Sequence, residues 1–371
     1  METRITEMLG IEHPVFQAAM GGVTTPEMVA AVCNAGGLGC YAISNVSVDD
    51  YREDIRKIKD MIGNKPFACN ISPLVPNMAD YVKVWIEEKV PVWESAIRDP
   101  FSILGMKKPT DVYFIPKIGK VRHGMSLVKK GLADAVIAHG YEGGGHPGKV
   151  ASTVFVPKAA AELGVPVVAS GGFDGGRGLA TALCLGAEAV EMGTRFATAA
   201  ESGISPQGRA VYFRSDENEP IYDNRFDGVY CNVIEGKNKK GYKRWQWHPW
   251  SLPSAMLEAV KPAKPSMGEL MGLARRMWKM KLSPIQWCVG MVDFNRGMQA
   301  PDAEDGLFWA GQVVGLVNEE MTCKQIVEST VADAERLLAE LYQKYVEPNK
   351  RECEVVSVKA GESLREQEET A

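Results

Sequence analysis

His146 is one of five histidines in a chain of 371 residues, and its surroundings set it apart. It lies in HGYEGGGHPG (139–148), a run with five glycines, just past the apolar β-type stretch Ala133–His139. An imidazole titrates near working pH, so a loop that presents one at a strand end can take or give a proton. Two further loops add a second kind of chemistry. Gly171 and Gly172 follow the apolar run Val165–Ser170, and Gly193 and Thr194 follow Ala187–Met192. Glycine lets backbone N–H groups come close to an anion. Two such turns on adjacent strands, each leading into a helix, make a phosphate pocket at the mouth of an α/β barrel. The residues therefore point to acid–base work beside a phosphate-bearing ligand.

The elements that must position these loops repeat along the chain. Strand-like runs occur at His13–Ala19, Leu38–Ser44, Pro66–Ser72, Val90–Ser95 and Asp111–Ile118, then at the three just named. Apolar helical patterns separate them, including one from Pro26 with Thr25 as its cap, Val48–Ile62, Asn77–Lys89 and Val121–Gly131. Parallel strands buried on both faces read as continuous apolar runs like these. Eight such runs, strictly alternating with helices, predict a (β/α)₈ barrel, a fold of the α/β class. The eighth helix is missing where the alternation expects it. After Glu201 the pattern becomes irregular, and apolar periodicity resumes only in GLFWAGQVVGLV and CKQIVESTVADAERLLAELYQKYV. Residues 1–204 and 301–348 are assigned to the barrel, 205–300 to an inserted lid or small second domain, and 349–371 to a frayed polar tail. The insert carries the basic, Trp-rich run 236–250 and a second basic cluster, ARRMWKMK (274–281), predicted to be helical. Its simplest reading is a solvated face; the sharper one is a landing site for an acidic substrate such as a CoA thioester. Met271, Met277 and Met280 read as packing on a helix face.

A net charge of −5 gives no case for nucleic acid. The eight cysteines show no CxxC spacing, which predicts buried reduced thiols and neither disulfides nor a metal site. No signal-peptide core and no stretch of about 18 apolar residues is present, so the expectation is a cytoplasmic protein without a membrane anchor.

The motifs FQAAMGGVTTPEMVAAVCNAGGLG, PFACNIS, HGYEGGGHPG, VPVVASGGFDGGRGLATALCLGAEAVEMGTRF and AGQVVGLV together resemble the nitronate monooxygenases (2-nitropropane dioxygenases). That family also holds the flavin-type enoyl-acyl carrier protein reductases and NADH:quinone reductases. The resemblance covers about residues 10–200 and 305–345. It implies a barrel with non-covalent FMN, and either oxidation of alkyl nitronates with O₂ or NAD(P)H-driven reduction of an enoyl thioester or quinone. By position it places Ala19, Met20 and Gly21 beside the flavin ring, with Asn70 and Ser72 at the third strand's end. Lys117 falls near the pyrimidine side, where a cation stabilises reduced flavin. Gly144 touches the ring, and Gly171, Gly172, Phe173, Gly193 and Thr194 hold the phosphate. His146 is the catalytic position, and His139 and Gln312 face the substrate. The chain differs from many nitronate monooxygenases at His139, often glutamine, and at Pro147, often arginine. A homodimer is compatible with all of this.

Overall fold

The computed structural model describes residues 1–43, 46–239, 265–299 and 303–347. The basic run 236–250 lies mostly outside them, as does the tail from 349 on. Eight short parallel strands form one sheet: β1 (Val15–Gln17), β2 (Cys40–Ala42), β3 (Ala68–Ile71), β4 (Val92–Ser95), β5 (Tyr113–Ile118), β6 (Val136–His139), β7 (Val167–Ser170) and β8 (Ala189–Met192). Each β-run of the sequence holds one of them, trimmed by up to three residues at its ends. β1 pairs with β8, and the ring closes where Gln17 N–H donates to Leu38 O at 2.9 Å and Leu38 N–H donates to Val15 O at 2.9 Å. The result is the expected (β/α)₈ barrel.

Side chains alternate along a strand, so every second residue points into the barrel. The lower inward layer is apolar: Phe16, Cys40, Ala68, Val92, Ile115, Ile137, Val168 and Ala189, plugged from below by Ile5 and Leu9 of the Arg4–Leu9 helix. Two residues further along each strand the layer reads Ala18, Ala42, Asn70, Glu94, Lys117, His139, Ser170 and Glu191. The barrel thus changes from apolar to polar in one step at the C-terminal strand ends, where such folds place their sites.

Outside the barrel, helices bury their apolar faces against the strands. The Pro26–Asn34 helix starts as its sequence predicts, with Thr25 Oγ1 accepting from Met28 N–H and proline at the first position. The helix that completes the ring is Cys323–Leu341, opened by a Thr322/Gln325 capping box. It lies so close to the Gly175–Cys184 helix that a Cβ at Gly176 would meet Asp333 Cβ at 2.4 Å.

The excursion has its own core. A three-stranded antiparallel sheet joins β9 (Ile221–Asp223), β10 (Cys231–Glu235) and β11 (Leu307–Trp309), with β10 in the middle. β11 belongs to the run the sequence assigns to the barrel, so the excursion's architecture extends beyond residue 300. Three apolar residues in a row suit a short buried strand as well as a helix, and only the partner strand decides. Helices Met267–Lys279 and Pro284–Gln299 complete this part. Met277 is buried and Met280 packs beside it, but Met271 is 68% exposed and does not pack as its spacing suggested. The seven described cysteines are all unpaired. No helix among the described residues is long and apolar enough to cross a membrane.

Candidate active site

A cavity of about 660 Å³ opens above the polar layer, within the usual range for small-molecule sites. Ala19, Met20, Gly21, Asn70, Ser72, Lys117, His139, Gly144, His146, Gly171, Gly172, Phe173, Gly193 and Thr194 all line it. Gln312 does not. Its side chain is exposed outside the cavity, and its segment contributes backbone contacts: Gln312 N–H donates to Glu142 O at 2.9 Å, and Gly311 N–H to Thr194 Oγ1 at 3.0 Å. A Cβ at Gly311 would meet Glu142 O at 2.4 Å, so AGQ wedges the glycine loop from behind.

The phosphate-type loops have the geometry that glycine permits. Gly171 and Gly172 have φ of 95° and 81°, the left-handed region. A Cβ at Gly171 would meet Gly140 O at 2.7 Å, whereas one at Gly193 would make only ordinary contacts, with Ala18 and Met20 at 3.7 and 4.0 Å.

His146 does not stand alone. Its Nε2 lies 2.8 Å from Asp227 Oδ2, and its Nδ1 has no hydrogen bond among the described residues. Asp227 is 1% exposed and comes from the excursion, 81 residues away in sequence. It is fixed from two sides. Its Oδ1 accepts from Val229 N–H at 2.9 Å. The Pro284–Gln299 helix presses on its loop at Gly290, where a Cβ would meet Phe226 O at 2.5 Å. Burial pulls the His146 pKa down, but the Asp227 charge and hydrogen bond outweigh it and hold the imidazole above its ordinary value. Cys231 approaches this pair within 4.8 Å. Burial and the nearby Asp227 and Asp223 push its thiol far up, so it is a neutral neighbour of the pair.

The floor carries a second network. Lys117 Nζ lies 2.8 Å from Glu191 Oε2, Ser170 Oγ donates to Glu191 Oε2 at 2.6 Å, and His139 Nδ1 lies 2.8 Å from Ser170 Oγ. His139 Nε2 lies 3.1 Å from Gly144 O. Asn70 Nδ2 donates to Glu94 Oε2 at 3.3 Å. Burial and the adjacent Glu191 raise the Glu94 pKa to about 8, so this acid is protonated at neutral pH. Burial, then the Lys117 charge, lowers the His139 pKa to about 4. Lys117 stays charged: burial opposes this, but Glu191 and Glu94 raise its pKa. A proton count constrains the chain from Gly144 O to Glu191. A carbonyl only accepts, so His139 Nε2 carries the proton and a neutral ring accepts at Nδ1. Ser170 has one hydroxyl proton for two acceptors, so His139 and Glu191 compete for it. His139 is thus a loop anchor in a proton-poor network.

Asp227, Glu94 and Glu191 are the site residues that sequence reasoning missed. The last two had a signal: a lone carboxylate within a strand otherwise buried on both faces must meet a partner or stay protonated. Asp227 had none, because its partner is fixed only by the docking of the excursion.

The mouth of this (β/α)₈ barrel thus combines left-handed glycine turns, a buried cation and a carboxylate-backed imidazole. The family follows from comparison. The nitronate monooxygenase family profile matches residues 2–98 and 79–333, and the chain belongs to that family. A Mycobacterium tuberculosis protein named (3aS,4S,5R,7aS)-5-hydroxy-7a-methyl-1-oxo-octahydro-1H-indene-4-carboxyl-CoA dehydrogenase is 33% identical over 352 residues, covering 90% of this chain and 96% of its own. A "probable nitronate monooxygenase" of Staphylococcus saprophyticus is 30% identical over 288 residues, covering 65% and 78%. Among solved structures, FabK from Thermotoga maritima superposes with a TM-score of 0.74 at 30% identity, covering 92% of this chain and 99% of that one.

Proposed function

We propose that this protein is an FMN-dependent oxidoreductase acting on the acyl part of a coenzyme A thioester. The observation that carries the reading is the His146–Asp227 pair, 2.8 Å apart over the cavity. A match over 90% of the chain must take in most of the excursion that supplies Asp227, and that match is to the mycobacterial protein named as an indene-4-carboxyl-CoA dehydrogenase.

The cavity suits FMN on its own features. Gly193 leaves a space that a Cβ would fill, the Gly171–Gly172 turn has left-handed backbone, and Glu94 Oε1 and Glu191 Oε1 are buried carboxyl oxygens without partners. Gly171, Gly172, Phe173, Gly193 and Thr194 would hold the phosphate; Ala19, Met20, Gly21 and Gly144 would flank the ring, with Asn70, Ser72 and Lys117 at its polar edge. Bound FMN supplies a two-electron acceptor or donor. The chain's own residues manage protons and water. His146 Nδ1 takes a proton from the substrate, and Asp227 stabilises the imidazolium that results. Lys117 offers a fixed positive charge where negative charge develops. Phe294 stacks on Trp309 at 3.9 Å between ring centroids, and with Trp287 and Met291 they form an apolar wall that keeps water out.

Nitronate oxidation with O₂ is the second reading, favoured by the family profile and the staphylococcal relative. Anaerobic mixing separates the two. Bleaching of the yellow protein by saturated acyl-CoA thioesters, or reoxidation of the reduced protein by enoyl-CoA, supports the proposal. Indifference to both, with O₂ uptake on alkyl nitronates, overturns it. NAD(P)H is the reductant to try in the reductive direction.

A further inference from the structure

The Met267–Lys279 helix has apolar residues on two sides. Leu273 and Met277 are buried among Leu74, Trp287 and Val292. Met267, Met271 and Trp278 face away and are 72%, 68% and 83% exposed. At the helix end Lys281 takes a φ of 58° and Leu282 N–H donates to Met277 O at 2.9 Å, which turns the chain back. That turn makes a surface hollow of about 740 Å³ lined by Met271, Ala274, Arg275, Trp278, Lys279 and Lys281, with Leu282 and Pro284 behind. No carboxylate lines it among the described residues. Arg275, Lys279 and Lys281 make no ion pair among the described residues, whereas the adjacent Arg276 turns inward to the carbonyls of Pro73, Val75 and Pro76.

Three free cations around an exposed indole are the components of a nucleotide site: the ring stacks on a base and the cations neutralise phosphates. The concave shape suits a small ligand better than a flat bilayer. Its position adds the second argument. Leu282 packs in the same apolar cluster as Leu74, Ile97, Trp287 and Met291, and those four line the inner cavity. The hollow and the cavity are therefore walled by one shared apolar cluster, an arrangement for a ligand with its reacting group inside and its nucleotide outside.

We propose that this hollow binds the adenine nucleotide end of the substrate, with Trp278 against the base and Arg275, Lys279 and Lys281 on the phosphates. The site rests on the geometry; the choice of a CoA thioester as its source rests on the function proposed above, because NAD(P)H carries the same adenine and phosphate chemistry. The probe is adenosine 3′,5′-bisphosphate, which lacks both acyl chain and nicotinamide, titrated into the holoenzyme by calorimetry. Binding should weaken with added salt, and should fall by roughly tenfold or more in Trp278→Ala and in Lys279→Glu, with the flavin spectrum unchanged. For the thioester, KM should rise in both variants with kcat unchanged. A rise in KM for NAD(P)H alone would keep the hollow as a nucleotide site and assign it to the reductant. Binding of the bisphosphate unaltered by either variant, or none at millimolar concentration, overturns the proposal. So would Trp278-dependent binding to phosphatidylserine vesicles, or Trp278-dependent dimerisation, in place of nucleotide binding. If the KM values for thioester and NAD(P)H are both unchanged in both variants the hollow is wrong and the function stands; if the bisphosphate binds as described but no thioester reacts, the reverse holds.

Discussion

Replacing Asp227 with asparagine tests the site where its parts meet. Asp227 Oδ1 accepts from Val229 N–H and Oδ2 faces His146 Nε2 at 2.8 Å. Asparagine keeps the shape but has one oxygen. If that oxygen stays on Val229, the amide NH₂ faces Nε2, which must then be unprotonated. The ring proton moves to Nδ1, the nitrogen left for the substrate, and the base becomes a donor. Asp227 is buried, and removing one partner of a buried pair costs about 3–5 kcal/mol. Expressed in the transition state, that is about 10²–10⁴-fold in turnover. The sign of the pH effect also follows. Asp227 holds the His146 pKa above its ordinary value, so its loss lets the imidazole shed its proton at lower pH. The limb where activity rises with pH should move to lower pH while the plateau falls. Turnover on the proposed acyl-CoA substrate is followed from pH 5 to 9, with flavin content as the control for folding. A variant with wild-type plateau and limb would refute the pair as the acid–base element.

Two further outcomes are expected. Glu94 has a folded pKa raised to about 8, so between its usual value and pH 8 the native state holds a proton that the unfolded chain releases, and stability falls as pH rises through that window. Glu94→Gln should remove a slope of up to about 1.4 kcal/mol per pH unit, so the Tm advantage of the variant should widen from pH 5 to 8; parallel Tm curves would show that the acid is not the cause. Gly193→Val meets only ordinary contacts at its Cβ and so should fold, but its side chain enters the anion pocket and should weaken FMN retention roughly 10–100-fold, read by equilibrium dialysis. A variant as yellow as wild type would move the phosphate elsewhere.

The barrel was legible because its strands are buried on both faces and its loops need glycine; both constraints leave marks within a few residues. Residues such as Gly171, Gly193 and His146 could be placed by local pattern alone. The excursion was not legible in the same way. β9 and β11 are three residues each and are brought together by β10 across a long gap. Nothing near Asp227 separates it from Asp223, which is not at the site. Gln312 misled because a polar side chain in a family motif looks like a contact, although Gly311 beside it is what the packing requires.

The Asn232 side chain donates to Tyr141 O and Gly143 O, both at 2.7 Å, and its N–H to Gly145 O at 2.8 Å. The appended sheet is therefore stitched to the very loop that carries His146. A relative that exchanged this module for another would inherit the barrel and its glycine turns intact, yet under the proposed function would stay mute until the newcomer brought its own acid and its own clasp. Specificity and competence travel together in such an arrangement, as a key cut on the same blank as the handle that turns it.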